Sequence, residues 1–193
     1  MKDILVFAKE ILQERLPKDG TFVDFTMGNG HDTLYFANYC SEGHVYAFDV
    51  QQMALDNTKQ LLDDNGGFDN VTLILDSHHN VDKYVQGEID AGIFNLGYLP
   101  GSDKSVTTQC ATTLEALDKA VKMLKTGGVI VVIIYPGHSE GTREADMVEE
   151  FCAKLDKHTY NTYKYALLNK KNPPYIVAAE KFIPMNRYTG QPL

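Results

Sequence analysis

The stretch Phe22-Val-Asp-Phe-Thr-Met-Gly-Asn-Gly-His-Asp-Thr33 decides the fold. Its apolar start reads as a buried strand, Thr21–Thr26. Gly28-Asn29-Gly30 reads as a tight turn, and His31 opens a helix that runs to Tyr39. Further on, Val45-Tyr-Ala-Phe-Asp-Val-Gln51 reads as a second strand, Val45–Phe48, followed by an acid. A strand, a glycine turn, a helix and a strand with a terminal carboxylate together form a nucleotide-cofactor site. Gly28 and Gly30 remove side chains where backbone must bend and a ligand must come close. Asp49 stands where it can accept hydrogen bonds from two ribose hydroxyls, with Gln51 beside it.

The turn also says which cofactor to expect. It lacks the third glycine of a GxGxxG fingerprint, because position 33 is Thr. Asn29 and Asp32 offer acceptors to an ammonium, and the N–H groups at a helix start offer donors to a carboxylate. A pyrophosphate would be repelled by Asp32. The pattern therefore favours S-adenosylmethionine over NAD.

Working outward, Ile4, Leu5, Ala8, Ile11, Leu12 and Leu16 recur at helical spacing before Pro17 and Gly20. A helix is expected from Gln51 to about Asp64, then strands at Val71–Leu75 and Ile89–Phe94. A long helix from Ser105 to Leu124 should end at Gly127-Gly128, followed by a strand at Val129–Ile134 and a helix through Phe151. After that no helix separates the strand-like runs Tyr160–Leu167 and Tyr175–Phe182, so they should pair antiparallel. The whole chain, 1–193, reads as one α/β domain. A mostly parallel sheet that finishes in an antiparallel strand pair resembles the class I, Rossmann-like S-adenosylmethionine-dependent methyltransferase fold, whereas a dinucleotide-binding domain keeps its sheet parallel.

Three further motifs fall at strand ends. Leu75-Asp-Ser-His-His-Asn80 follows the third strand, where Ser77 and His78 can meet an adenine. The competing reading is an exposed loop or a helix start capped by Ser77 or Asn80. Ile93-Phe-Asn-Leu-Gly-Tyr-Leu-Pro-Gly-Ser-Asp-Lys104 follows the fourth strand. There Asn95 supplies an amide oxygen and Tyr98 a face for a planar base. This looks like a variant of the Asn/Asp-Pro-Pro-Tyr motif of amino-group methyltransferases, with Leu-Gly for Pro-Pro. Tyr135-Pro-Gly-His-Ser-Glu140 puts His138 at the ligand edge, although Ser139 could simply cap the next helix while His138 faces solvent.

In this order and spacing the motifs resemble a small bacterial methyltransferase family that carries the label rRNA methylase and whose members are similar to the tRNA 5-(aminomethyl)-2-thiouridine methyltransferase. The resemblance runs from the N-terminal helix to about Phe182 and is most specific at Asn95–Gly101. It implies N-methylation of the aminomethyl group of wobble uridine 34, in the anticodon loop of tRNA, to 5-methylaminomethyl-2-thiouridine. Asn95, Tyr98 and His138 are then the candidates for holding or deprotonating the amine, and no metal is needed. The rivals are an rRNA or small-molecule methyltransferase and a non-catalytic S-adenosylmethionine-binding module.

Composition sets the remaining bounds. At 44% hydrophobic and 23% charged, the 193 residues suit a soluble globular protein. The apolar run Val129–Tyr135 is too short to span a bilayer, and charge interrupts the N-terminal apolar stretch where a signal peptide would lie. The three isolated cysteines suit the cytoplasm and neither a disulfide framework nor a zinc site. A net charge of -8 argues against non-specific nucleic-acid binding. Yet from Lys157 onward six basic residues face one acid, Glu180. Lys170 and Lys171, in the turn of the expected terminal hairpin, are therefore candidate RNA contacts, unless they only keep that turn solvated. The acidic body also leaves room for docking across a homodimer.

Overall fold

The computed structural model describes residues 3–96, 110–136 and 139–182. The elements alternate as α1 (Ile4–Gln13), β1 (Thr21–Asp24), α2 (His31–Tyr39), β2 (His44–Asp49), α3 (Gln52–Asp64) and β3 (Val71–Leu75). A 3-10 turn (His78–Asn80), α4 (Val81–Tyr84), β4 (Ile89–Leu96), α5 (Cys110–Met123) and β5 (Leu124–Ile134) follow. The chain then forms α6 (Ser139–Ala153), β6 (Tyr160–Tyr165) and β7 (Tyr175–Lys181).

The seven strands form one sheet in the order β3-β2-β1-β4-β5-β7-β6. All neighbours up to β5 are parallel, and β7 runs antiparallel to both β5 and β6. The strand order reverses between β1 and β4, so the ligand crevice of such a sheet lies at their carboxyl ends. Apolar clusters line both faces of the sheet. Phe25, Phe94, Leu117, Val132 and Val148 pack on the α5/α6 face, while Leu12, Phe22, Phe36, Val131 and Ile176 pack on the α1/α2 face. The central strands are buried on both sides, which is why β4 and β5 read as continuous apolar runs. Phe25 and Phe94 stack at 4.1 Å directly beneath the crevice, fixing the strand ends that carry it.

Helix α1 starts where the Asp3 carboxylate accepts the Leu5 N–H at 3.0 Å, and it buries Ala8 and Leu12. Helix α2 is different: its N-cap is Gly30 in the left-handed region, with no side-chain cap bond. Its first N–H groups therefore stay open toward the crevice.

Three expectations need correction. Strand β1 ends at Asp24, two residues early, because the chain turns out of the sheet and Thr26 instead accepts the Asn95 N–H at 2.7 Å. Helix α5 ends at Met123, one residue from the expected Leu124, but strand β5 begins at Leu124 rather than at Val129. Lys125 reaches the buried Asp90 carboxylate at 2.9 Å and draws residues 124–128 alongside β4, with a register shift. The start of that helix, expected at Ser105, lies outside the described residues. Finally, the polar run after β3 is the helix start of the competing reading, coiling into the 3-10 turn and α4, but neither Ser77 nor Asn80 makes a side-chain cap bond. Asp76 anchors it: burial works against its charge, but hydrogen bonds from Tyr84, Asn80 and the Ser77 N–H prevail and hold its carboxyl below the usual value.

Candidate functional site

The glycine turn has the backbone its residues predict. Gly28 has φ 54° and Gly30 φ 77°, both in the left-handed region. The turn is closed by Gly30 N–H to the Met27 carbonyl at 2.9 Å and by Thr58 Oγ1 to the Gly28 carbonyl at 3.2 Å. A Cβ on Gly30 would lie 2.6 Å from Thr58 Cγ2. Gly30→Ala thus combines a strained φ with overlap on buried Thr58. It should cost about 1–3 kcal/mol of stability and displace the turn, read as a lower melting temperature together with weaker cofactor binding.

Three carboxylates converge on this turn. Asp49, at the end of β2, accepts Gly28 N–H through Oδ2 and Gln51 N–H through Oδ1, each at 3.0 Å. An ionised carboxylate has about four acceptor positions, so spare lone pairs remain for a ribose. Asp32 lies in the first turn of α2 and pairs with Lys9 Nζ of α1 at 2.9 Å; Lys9 also sits 4.4 Å over the Tyr35 ring. Asp24, only 1% exposed, accepts Thr33 Oγ1 at 2.7 Å and Thr26 N–H at 3.1 Å. Burial first, and then the neighbouring Asp32, push its carboxyl up to about 7, against the pull of these hydrogen bonds.

The other predicted residues surround this centre. Asn29 Oδ1 accepts Asn57 Nδ2 of α3 at 3.0 Å. Gln51 is the N-cap of α3 and makes no side-chain cap bond. The Ser77 hydroxyl meets His79 Nδ1 at 2.7 Å. His78 is 8% exposed rather than set in an open loop. Its Nδ1 lies 3.0 Å from the Phe25 carbonyl, and its ring packs edge-on to Phe94 at 5.7 Å. A carbonyl accepts only, so Nδ1 carries the proton and Nε2 keeps a lone pair, which has no partner among the described residues. Burial lowers the pKa of this imidazole, which keeps it neutral.

Asn95 is half-buried at the end of β4, where its N–H is tied to Thr26. Tyr98 and His138 lie outside the described residues. Lys170 and Lys171 are exposed in the β6–β7 loop. That loop opens at the same edge of the sheet as the glycine turn, since Tyr175 pairs with Ile134 at the carboxyl end of β5.

Sequence reasoning passed over Asp24, Thr33 and Lys9. Asp24 carried a signal, an acid inside an otherwise apolar strand. Thr33 was read only as a missing glycine, yet its hydroxyl is the donor that satisfies Asp24. Lys9 had no local signal, because its role depends on α1 and α2 docking on the same face of the sheet.

The site therefore offers acceptors to a cation, open helix N–H donors to a carboxylate and, at the end of β2, a carboxylate with spare lone pairs. These are the groups a zwitterionic amino-acid nucleoside needs. Among the described residues no group of three or more His, Cys, Asp or Glu side chains gathers to hold a metal, and no helix is long and apolar enough to cross a membrane.

Comparison with known proteins agrees with this chemistry. Residues 45–180 match the model of the family described as "Putative rRNA methylase". A protein of Arabidopsis thaliana named tRNA (mnm(5)s(2)U34)-methyltransferase, chloroplastic, is 35% identical over 181 residues. The match covers 88% of this chain and 66% of the plant protein, so the chain spans just under two thirds of that relative. A "putative methyltransferase" from Streptococcus mutans, crystallised with S-adenosylhomocysteine, is 40% identical. It superimposes with a TM-score of 0.87, covering 94% of this chain and 99% of the other. A "putative rRNA-methylase" from Clostridium thermocellum is 39% identical with a TM-score of 0.91 over the same shares.

Proposed function

The chain belongs to the family described as "Putative rRNA methylase", and from that premise we propose that it is an S-adenosylmethionine-dependent RNA methyltransferase whose substrate is tRNA. The proposed reaction is N-methylation of 5-aminomethyl-2-thiouridine at wobble position 34, in the anticodon loop, to 5-methylaminomethyl-2-thiouridine, in the cytoplasm. One observation carries this reading above the others: the 35% identity with a protein named for that modification.

When bound, S-adenosylmethionine supplies the methyl group as an electrophile on a positively charged sulfur. The residues described above fit it. Asp49 and Gln51 hold the ribose. Ser77 and His78 border the adenine. Asn29 and Asp32, with the backbone at Gly28 and Gly30, hold the amino-acid tail, and Asp24 adds a compensating charge beneath it. The chain's own contribution is positional, since the leaving group is already activated.

The acceptor nitrogen has to arrive without its extra proton, because an ammonium has no lone pair. Asn95 holds that amine through its amide oxygen, Tyr98 stacks on the uracil, and His138 is the candidate proton acceptor. Tyr98→Ala should lower turnover on tRNA roughly tenfold and leave cofactor affinity intact, because stacking on an aromatic is worth about 1–3 kcal/mol.

The test of the function uses purified protein, isotope-labelled S-adenosylmethionine, and tRNA from cells lacking the terminal methyl group. Nucleoside mass spectrometry should find one added methyl on the aminomethyl-thiouridine. Label confined to rRNA would replace this reading by the one in the family's description.

A further inference from the structure

We propose that the β6–β7 loop, residues 166–174, is an RNA-docking edge that holds the single strand a few nucleotides away from the base being methylated. Tyr165 and Leu168 would lie against bases, and Lys170 and Lys171 on phosphates. The proposal rests on the RNA methyltransferase reading above.

Register places this loop. Asn95 pairs with Ile133, Ile133 with Ile176, and Ile176 with Tyr165. One row across four strands therefore joins the acceptor end of β4 to the root of the loop. At about 4.8 Å per strand, Tyr165 stands roughly 14 Å from Asn95. That is about four nucleotides at a stacked rise of roughly 3.4 Å.

The chemistry of the loop suits a single strand. Leu168 is 99% exposed and Tyr165 38%, so both present apolar surface that a base can cover. Lys170 and Lys171 are exposed and form no ion pair with a described residue. Lys119, Lys122, Lys125, Lys154 and Lys164, by contrast, each sit within 3 Å of a carboxylate. Apolar faces interleaved with uncompensated positive charge are what an unpaired strand recognises. On a body of net charge -8, this is also a place where a polyanion can approach.

The loop is presented from a fixed stem. Lys164 Nζ lies 2.7 Å from Glu149 Oε1 on α6 and 4.4 Å over the Tyr175 ring. The Tyr175 hydroxyl donates to the same carboxylate oxygen at 2.6 Å. On the other face, Phe7 of α1 packs edge-on to Tyr165 at 5.2 Å. Asn172 at φ 47° and the Pro173-Pro174 pair shape the return to β7.

The experiment compares wild type, Lys170→Ala/Lys171→Ala and Leu168→Ser on an anticodon-arm RNA. It measures affinity at several salt concentrations, steady-state methyl transfer, S-adenosylhomocysteine binding and oligomeric state. The lysine pair should flatten the slope of log affinity against log salt by roughly 1.4, two contacts at about 0.7 each. Leu168→Ser should raise KM roughly five- to tenfold, the scale of one lost base contact. In both variants, kcat at saturation and S-adenosylhomocysteine affinity should hold, which also reports an intact fold. Wild-type slope and KM in variants that still methylate RNA would overturn the proposal. So would a dimer that Leu168→Ser converts to monomer, since the surface would then be a contact between copies. A wild-type protein that methylates no RNA would instead remove the function on which the proposal stands.

Discussion

Asp24→Asn should make the ligand-free protein more stable at pH 8 and at the same time weaken its hold on S-adenosylmethionine. The wild-type carboxyl is fully enclosed and titrates near 7 in the folded chain, against 3.8 as its ordinary value. Between those two pH values the unfolded chain loses this proton while the folded chain keeps it. The folded state therefore loses stability as pH rises from about 4 to about 7, to an extent on the order of 4 kcal/mol, and the loss is complete above 7. Asn cannot ionise, so it removes that cost. It also replaces one acceptor oxygen by a donor and forfeits one of the bonds from Thr33 or Thr26. The net gain should be about 1–3 kcal/mol, or roughly 2–10 °C in melting temperature for a chain of this size. It should shrink as pH falls and reverse below about pH 4, where only the lost hydrogen bond remains.

Cofactor binding should respond in the opposite sense. A bound sulfonium and ammonium favour the ionised form of Asp24, so binding to the wild type should release a proton below pH 7. Affinity should then tighten as pH rises, by at most tenfold per unit. Thermal melts across pH 4–8, with titrations in two buffers of different ionisation enthalpy, read both effects. A variant no more stable at pH 8 than at pH 5, relative to wild type, would mean that Asp24 is ionised in the resting protein.

The parts of this molecule that were legible in its sequence are those fixed by short-range rules. A backbone that must adopt positive φ twice within three residues asks for Gly28 and Gly30 wherever it occurs. Helix α2 and strand β3 have the bounds their periodicity gives, His31–Tyr39 and Val71–Leu75. The antiparallel end of the sheet followed from the lack of any helix between two strand-like runs.

What escaped were consequences of packing between distant segments. Asp24 is enclosed only because β1 sits between β2 and β4 under the crevice. Its place in an apolar strand was a signal, but the enclosure itself comes from those neighbouring strands and from nothing local. His78 lies in a run, Asp76-Ser-His-His-Asn80, whose composition is that of a loop. It turns inward because the Phe25 carbonyl, released where β1 leaves the sheet, takes its N–H. The early start of β5, at Leu124 instead of Val129, has the same origin, an attraction between Lys125 and Asp90 across 35 residues. Propensity described each of these segments in isolation, and tertiary contact decided them.

For Asp49→Ala the expectation is a loss of cofactor affinity of roughly 10- to 150-fold, the equivalent of about 1.5–3 kcal/mol for hydrogen bonds to a charged group. Two losses combine. The carboxylate that would take the ribose hydroxyls disappears, and so do the bonds that hold Gly28 N–H and Gln51 N–H at 3.0 Å. The second loss loosens the turn itself, so the melting temperature of the ligand-free protein should fall as well, by about 1–3 kcal/mol equivalent. Asp49→Asn separates the two contributions. Its amide oxygen can keep one backbone N–H, while its NH2 group faces the other donor and restores neither the charge nor the second acceptor. The Asn variant should therefore melt between wild type and Ala, yet bind S-adenosylhomocysteine nearly as weakly as Ala. Calorimetric titration with S-adenosylhomocysteine, alongside melts of all three proteins, gives the result. Unchanged affinity in Asp49→Ala, or binding of NAD in place of the adenosyl cofactor, would show that the acid at the end of β2 serves the fold alone. The cofactor assignment would then have to rest on the α2 start and the remaining carboxylates.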